Sequence, residues 1–540
     1  MVNEKLNEGR SCSGQSGLFQ IFLSEMHLIF SSPAVFLSFF AALFFYLFCV
    51  VQGRLLLYIW LFTSAFSGIG LIALCFLKCF SLKNKKKYKN TVFIFAGILI
   101  GSGAFLRLLF FYTPAKTLAE TEKIETVKLV LTGDPYPVGK KYYAATAKLF
   151  SCAYKTKQEF SVKGRINVFF PAEMVRQNNV FGISLYKLKA GNPCKSFSKG
   201  AVLSVKGKFL PKKDKKHPAV FFTAREIPLF LGWSSFFARL RAEFRFTVMR
   251  LLAGWGSAGG LLLALLSANK DFLETACSVS FRNAGLAHIL ALSGMHISLI
   301  SLAAIHTGSL LGRRSSAIKF ALILILFFVW FAGSIPSLNR ALGMMIILII
   351  GKSLGVKPCM VSVLSGVFVF HIVLKPAEAL SLGFMLSYGA LTGILIFGKA
   401  VGGIFRGKIP KYALNGISAS IGAQLFTAPA VISKIGILAP IGIIASVLIT
   451  PLVSVFLILG MIGVFTALIF PLTGGIFAGV LNFLYGIILS FVRFFSAFPL
   501  VRAESFVQKL FFSIVPFCIG LAAVTAAIFF KNKRESIFPQ

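Results

Sequence analysis

The chain has 540 residues, of which 57% are hydrophobic and only 14% charged, and its mean hydropathy is +0.83. A water-soluble fold could not hide that much apolar surface, whereas a bilayer is an apolar solvent for it, so a purely soluble protein is excluded. The charge is lopsided, 56 Lys and Arg against 17 Asp and Glu, and after Glu274 only Glu378, Glu504 and Glu535 are acidic. Such a balance points to anionic lipid, to basic cytoplasmic loops or to a polyanionic substrate.

The first 17 residues are polar and no A-x-A-type site follows the first apolar run, so no cleavable signal peptide is expected. Residues 1–33 read as a cytoplasmic segment. Three apolar runs fill residues 34–112, namely Ala34–Val51, Leu55–Phe80 and Thr91–Tyr112, and each is long enough to cross a hydrocarbon core of about 30 Å. Between the second and third lies a basic loop, Leu82-Lys83-Asn84-Lys85-Lys86-Lys87-Tyr88-Lys89. Short basic loops stay in the cytoplasm, which places the N-terminus inside and delivers the chain outside after Tyr112.

Residues 113–232 change character. Apolar runs shorten to strand length at Val127–Leu131, Lys163–Phe169, Ala201–Phe209 and Ala219–Arg225, punctuated by turn signals such as Gly133-Asp134 and Gly191-Asn192-Pro193. The pattern predicts a small antiparallel β domain, a five-stranded barrel, exported despite its 22 Lys and Arg against 8 Asp and Glu over 114–230. Two of the nine Cys, Cys152 and Cys194, fall here. An extracytoplasmic setting allows a disulfide between them, but spacing does not show whether their Cα atoms meet.

Residues 233–275 read as amphipathic, interfacial helices: Arg239, Arg241, Arg245 and Arg250 alternate with Phe237, Leu240, Phe244, Phe246 and Leu251, as in helices that lie on a membrane surface. A multi-helix membrane domain follows over 276–530, with apolar runs such as Leu286–Leu311, Met360–Leu374, Ala379–Phe397 and Ile441–Phe470. Several runs are short or broken by Gly and Pro, as at Gly333-Ser334-Ile335-Pro336-Ser337. Irregular backbone at membrane depth is tolerated where it faces protein or a water-filled cavity, which favours a conduit over an anchor. The tail 531–540 opens with Lys531-Asn532-Lys533-Arg534 and reads as cytoplasmic. The fold class expected is a polytopic α-helical membrane protein with an inserted small β domain.

The densest polar cluster at membrane depth lies in Arg282 to His296. Ionisable groups there cost free energy, about 2.5–3.5 kcal/mol for a central Arg, and usually persist for function. On one continuous helix Arg282, Ser293 and His296 fall on an arc of about 60°, with His288 about 80° from His296, a wet face that requires Gly294 not to break the helix. The plainer alternative is that His288 and His296 bond neighbouring helices. Arg340, after Gly333-Ser334-Ile335-Pro336-Ser337-Leu338-Asn339, is either an interfacial snorkelling residue or a cation on a pore wall.

Gly285-Leu286-Ala287-His288-Ile289-Leu290-Ala291-Leu292-Ser293-Gly294-Met295-His296 resembles the A-G-L-x-H-L-L-A-x-S-G-L-H signature of the ComEC family of competence channels. Gly333 to Ala341 resembles that family's G-x-x-P-S-x-x-R-A segment, and Gly383-Phe384-Met385-Leu386-Ser387-Tyr388 is similar to its G-F-Q-L-S-F segment. The order of parts is similar too: membrane helices, an OB-like extracytoplasmic domain, then a competence domain. Ser381, Met385 and Ser446 stand where the family has an acid, a Gln and an Asn.

The resemblance implies an inner-membrane channel that passes single-stranded DNA inward during competence, and no enzymatic activity. It places His288, Ser293, Gly294, His296 and Arg340 in the channel core. The roles assigned are pore-lining polar contacts from His288, Ser293 and His296, close helix approach at Gly294, and phosphate pairing from Arg282 and Arg340, with Ser387 a further pore candidate. An OB-like barrel binds single strands with a basic groove and aromatic platforms. Candidate contacts are Lys140, Lys141, Tyr142, Lys206, Lys208, Lys212 and Lys213; a Lys run is more often a solvated loop, and Phe221 and Phe222 are equally core.

The C-terminal metallo-β-lactamase-like domain of many family members is not expected, and the six His form no H-x-H-x-D-H cluster, so neither metal nor cofactor is expected. No Gly-x-x-x-x-Gly-Lys-Ser/Thr loop occurs. Partners expected are therefore membrane lipids, a DNA receptor, a cytoplasmic ATPase or helicase and a separate nuclease, and the channel itself as a homo-oligomer. Alternatives are a transporter of another polyanion, such as a lipid-linked saccharide, an intramembrane serine protease using Ser293, and a remnant that no longer transports.

Overall fold

The computed structural model describes residues 33–50, 85–111, 124–139, 141–154, 159–172, 197–210, 221–310, 314–355, 359–404 and 410–537. The expected span Leu55–Phe80 and the candidates Lys140, Lys212, Lys213 and Cys194 lie outside these residues. The chain divides into two compact units, one of residues 1–106, 340–447 and 499–540, the other of residues 107–339 and 448–498.

In chain order the helices α1 (Pro33–Val50) and α2 (Lys85–Phe111) come first. Lys85 to Lys89, expected in a loop, form the opening turns of α2. The strands follow: β1 (Ile124–Leu131), β2 (Tyr136–Val138), β3 (Tyr142–Tyr154), β4 (Glu159–Pro171), β5 (Ala201–Phe209), β6 (Phe221–Ala224) and β7 (Leu229–Trp233). Then come α3 (Phe236–Ala253), α4 (Gly256–Ser267), α5 (Thr275–Asn283), α6 (Gly294–Leu310), α7 (Arg314–Ala332), α8 (Pro336–Ser353), α9 (Met360–Leu374) and the single turn α10 (Pro376–Ala379). Next, α11 (Leu382–Gly393) runs through a π-helical turn, Ile394–Gly398, into α12 (Lys399–Ile404). The chain ends with α13 (Lys411–Lys434), the bridge strand β8 (Ile437–Leu438), α14 (Gly442–Ile469), α15 (Thr473–Ser496), β9 (Val501–Arg502), which pairs with β8, and α16 (Phe506–Ile537).

The strands close into a ring, β1-β3-β4-β6-β5 and back to β1, with β2 added to β3 and β7 to β5. β4 and β6 pair in parallel; the other pairs are antiparallel. The two-residue period of a strand turns one face inward, and Val127, Leu129, Leu149, Ile166, Val168, Phe170, Leu203, Val205 and Phe222 fill the core. The expected five-stranded barrel is thus present, and β3, as long as β4 at 13 residues, went unread. Cys152 is a free, buried thiol of this core, and burial pushes it up to about 11.

Helix α3 begins where Ser235 caps it, its Oγ accepting from Ala238 N at 3.2 Å. The expectation of an exposed arginine face on it is corrected for two residues. Arg241 and Arg245 are 5% and 7% exposed and turn inward, whereas Phe236 and Phe237 are exposed. Arg241 Nη1 and Nη2 donate to the two oxygens of Asp134 at 3.1 and 2.8 Å, and Arg245 Nη1 reaches Oδ2 at 3.0 Å. Both guanidiniums also donate to the last carbonyls of α7: Arg241 Nε to Trp330 O at 2.8 Å and Arg245 Nη1 to Ala332 O at 3.2 Å. Gly333 follows at φ +103°, and a Cβ there would lie 3.0 Å from Arg241 Nη2. A glycine is needed both for the backbone angle and for the space.

The single polar helix expected through 282–296 is also corrected. α5 ends at Asn283, Gly285 takes φ +75°, and α6 starts afresh at Gly294. The intervening residues form turns, so Arg282, Ser293 and His296 do not share one helix face.

Among the described residues, four helical stretches are long and apolar enough to cross a membrane: Leu382–Gly402, Tyr412–Lys434, Gly442–Ile469 and Thr473–Ser496. Shorter apolar helices, Leu37–Leu47, Val92–Leu108, Phe320–Ala332 and Met360–Leu374 among them, accompany these. α11 and α13 approach closely at glycine, since a Cβ on Gly393 would lie 2.1 Å from the Gly422 carbonyl oxygen. Small residues at such crossings are how helices pack in lipid.

Candidate functional site

The turn 284–293 precedes α6 and exposes a helix N-terminus whose first N–H groups need partners. His296 supplies one. Ser293 N donates to His296 Nδ1 at 3.2 Å, Ser293 Oγ lies 3.2 Å from the same nitrogen, and His296 N donates back to Ser293 O at 3.2 Å. The imidazole thus takes the Ser293 N–H as Glu does in a capping box, while the His296 N–H goes to the Ser293 carbonyl rather than to its hydroxyl. Because Nδ1 accepts from a backbone N–H, the ring proton sits on Nε2. His296 is fully buried, and its Nε2 has no partner among the described residues. The turn is also tied to the second motif, for Ser337 Oγ donates to the Leu292 carbonyl. Ser454 of α14 reaches Met295 Sδ at 3.9 Å.

His288 and Arg282 stand apart from this cluster. Both are exposed; His288 Nδ1 lies 3.2 Å from the Gly285 carbonyl, and Arg282 lines a small cavity with Lys270, Ser278 and Ala287.

In the other unit, Arg340 and Ser387 come together. Arg340, on the first turns of α8, is 9% exposed; its Nη1 donates to the Ser387 carbonyl and its guanidinium sits over the Tyr388 ring, 5.9 Å from the centroid. Arg340 Nε and Ser387 Oγ are buried with no partner among the described residues. Tyr388 Oη in turn meets His371 Nδ1 at 3.1 Å, and His371 Nε2 meets Glu378 Oε2 at 2.9 Å. Sequence reasoning missed His371 and Glu378, whose pairing depends on the chain turning at Lys375-Pro376.

On the barrel, strand alternation separates the two phenylalanines left open by the sequence. Phe222 is core, while Phe221 turns outward and stacks on Phe169, centroids 5.7 Å apart at 27°. Tyr142 continues the line with its ring 6.5 Å from Phe169. Lys148 and Arg165, paired in register on β3 and β4, and Lys208, beside Thr223, share this outer face and are exposed. Tyr142 and Lys208 were among the expected contacts; Phe169, Lys148 and Arg165 were not. Lys141 is exposed at the start of β3, and Lys206 pairs with Glu226 at 3.1 Å. Among the described residues no group of His, Cys, Asp and Glu could hold a metal.

Residues 265–531 match a protein-family model described as "Competence protein". No curated protein and no solved structure matches the chain.

Proposed function

We propose, for a chain that belongs to the competence-protein family through residues 265–531, that it is an inner-membrane channel for single-stranded DNA entering the cell during natural transformation. The family and the apolar helices make it a membrane protein with a role in competence. One observation carries the finer reading. His296 and Arg340, both in segments that resemble the family's motifs, are buried, each with one nitrogen that has no partner among the described residues. Buried donors without partners are costly, and a phosphodiester supplies the acceptors that such donors need.

The barrel supports the same substrate. Numbered by ring strand, its order is 1-2-3-5-4-1, the order of an OB-type barrel, and its outer face combines exposed cations with a row of rings. In this reading the barrel lies outside the cytoplasmic membrane and both termini inside, with Arg314, Lys352 and Lys411 on the cytoplasmic ends of their helices.

The chain itself acts as a conduit rather than an enzyme. Ser293 is within reach of His296, as a serine nucleophile requires. That nitrogen already accepts the Ser293 backbone N–H, however, so its lone pair is committed to capping. A carrier of another polyanion remains the second reading, and the salt dependence argued in the Discussion separates the two.

The test is transformation of a competent host with a chromosomal marker, comparing the deletion strain with wild type, His296→Ala and Arg340→Ala. Loss in the deletion and a fall of at least about tenfold in well-expressed variants, with DNA still bound at the surface, is expected. Normal transformation in the deletion strain ends the DNA-channel reading.

A further inference from the structure

A hydrogen-bonded line of titratable groups leads through the unit that holds Arg340. It starts at Lys375, whose Nζ is 3.2 Å from Glu378 Oε1, and at Glu378, whose side chain is 24% exposed. Glu378 Oε2 faces His371 Nε2 at 2.9 Å, and His371 Nδ1 faces Tyr388 Oη at 3.1 Å. The line ends where the Arg340 guanidinium covers the Tyr388 ring. His371 is 5% exposed, at the last turn of an apolar helix. Tyr46 of α1, which packs on α9, donates to the Ala379 carbonyl, and Phe384 sets its ring against the imidazole, 5.0 Å between centroids.

Imidazole is the side chain that accepts a proton on one nitrogen while donating from the other near neutral pH. Here both nitrogens have partners suited to either state. Neutral His371 donates from Nε2 to the Glu378 carboxylate and accepts the Tyr388 hydroxyl proton at Nδ1. Protonated His371 keeps the Glu378 bond and donates from Nδ1 to Tyr388 Oη. Loading adds one proton and one positive charge and exchanges donor and acceptor at a single contact.

We propose that His371 is a proton site, loaded through Glu378, whose occupancy is coupled to an anionic group at Arg340. The proposal rests on the channel reading above. Among the described residues Arg340 has no carboxylate partner, so a protonated His371 adds a like charge to an unpaired cation. A phosphate at Arg340 relieves that repulsion and favours the proton; by linkage the proton equally favours the phosphate. The consequence is movement of protons together with the polyanion. Each phosphate entering against an inside-negative potential does electrical work, and a proton travelling with it cancels that charge.

The experiment uses the full chain in liposomes with a pH-sensitive dye inside, a fluorescent single strand outside, acid outside, and the membrane potential clamped at zero. Nuclease-protected strand and lumen pH are read together for wild type, His371→Gln, Glu378→Gln and Glu378→Asp. Wild type is expected to acidify the lumen at least about tenfold faster with strand than without. His371→Gln and Glu378→Gln should fall to the strand-free rate, and Glu378→Asp, which keeps the carboxylate, should recover most of it. Strand entering wild type without added acidification overturns the coupling and leaves the channel reading standing. Strand-dependent acidification that persists in both Gln variants removes His371 as the proton site. Exclusion of the strand by wild type rejects the channel reading and the coupling with it.

Discussion

Asp134 sits in the turn between β1 and β2, with both oxygens engaged by Arg241 and Arg245 and with Lys199 N donating to Oδ1 at 2.8 Å. Burial alone would raise its pKa, but Arg245 and Arg241 hold the carboxyl well below the usual carboxylate range. Replacing it with Asn leaves two buried guanidiniums without a counter-charge, a change that costs about 3–5 kcal/mol for comparable buried pairs. A carboxylate with a depressed folded-state pKa contributes fully above its unfolded value, about 4, and loses that contribution as pH falls toward the folded value. Thermal unfolding of the full chain in detergent should therefore show Asp134→Asn less stable than wild type by a constant margin from pH 8 to about pH 5. The margin should narrow only below about pH 4. Equal melting at pH 7 would remove the triad from the list of what holds α3 and the end of α7 to the barrel.

At the scale of elements, the barrel face is where function can be measured apart from transport. The register places Ala144 opposite Phe169, and Asn167 opposite Phe221, so one row of rings crosses β3, β4 and β6. Base stacking on an aromatic side chain is worth about 1–3 kcal/mol, so Phe169→Ala and Phe221→Ala should each weaken single-strand binding by roughly 5- to 150-fold. Phe222→Ala should instead act on stability, because its ring is in the core. Binding unchanged in both outer variants would show that the strand lies on another face. The alternation that made Ala201–Phe209 and Lys163–Phe169 readable as strands also dictates which ring faces out. Tyr142–Tyr154 escaped because Ala144, Ala145 and Ala147 blur the contrast between its faces, and its opening Lys-Tyr pairs read as a loop. The break between α5 and α6 was hidden by an apolar run unbroken from Ile289 to Leu292, and only Gly285 and Gly294 mark it. Nothing local in the sequence links Arg241 to Asp134, which lies 107 residues away, nor shows that His371 folds back onto Glu378.

For the molecule as a whole, a net charge of +39 raises the question of what those charges meet. Part of the excess is expected to be spent on anionic lipid and on topology, and the rest is available to a polyanion. The two substrate readings differ in how many charges the protein engages at once. A single strand laid across Lys148, Arg165 and Lys208 and on toward further cations releases a counterion at each phosphate, with a slope of about −0.7 per contact in log affinity against log salt. Four to six contacts give a slope of about −3 to −4, and hence roughly a 50- to 300-fold loss between 50 and 200 mM salt. A lipid-linked saccharide with one or two phosphates has a slope of about −0.7 to −1.4 and loses only about three- to sevenfold over the same range. Titrating the full chain in neutral-lipid nanodiscs with a labelled single strand removes the competing anionic lipid and reads this slope directly. A steep slope that becomes shallower by about 1.4 units on removing Lys148 and Arg165 together, with the aromatic row intact, places the strand on that face. A slope shallower than about −1.5 in wild type means that too few phosphates are held at once for a strand to be the cargo, and the saccharide-type carrier becomes the better reading.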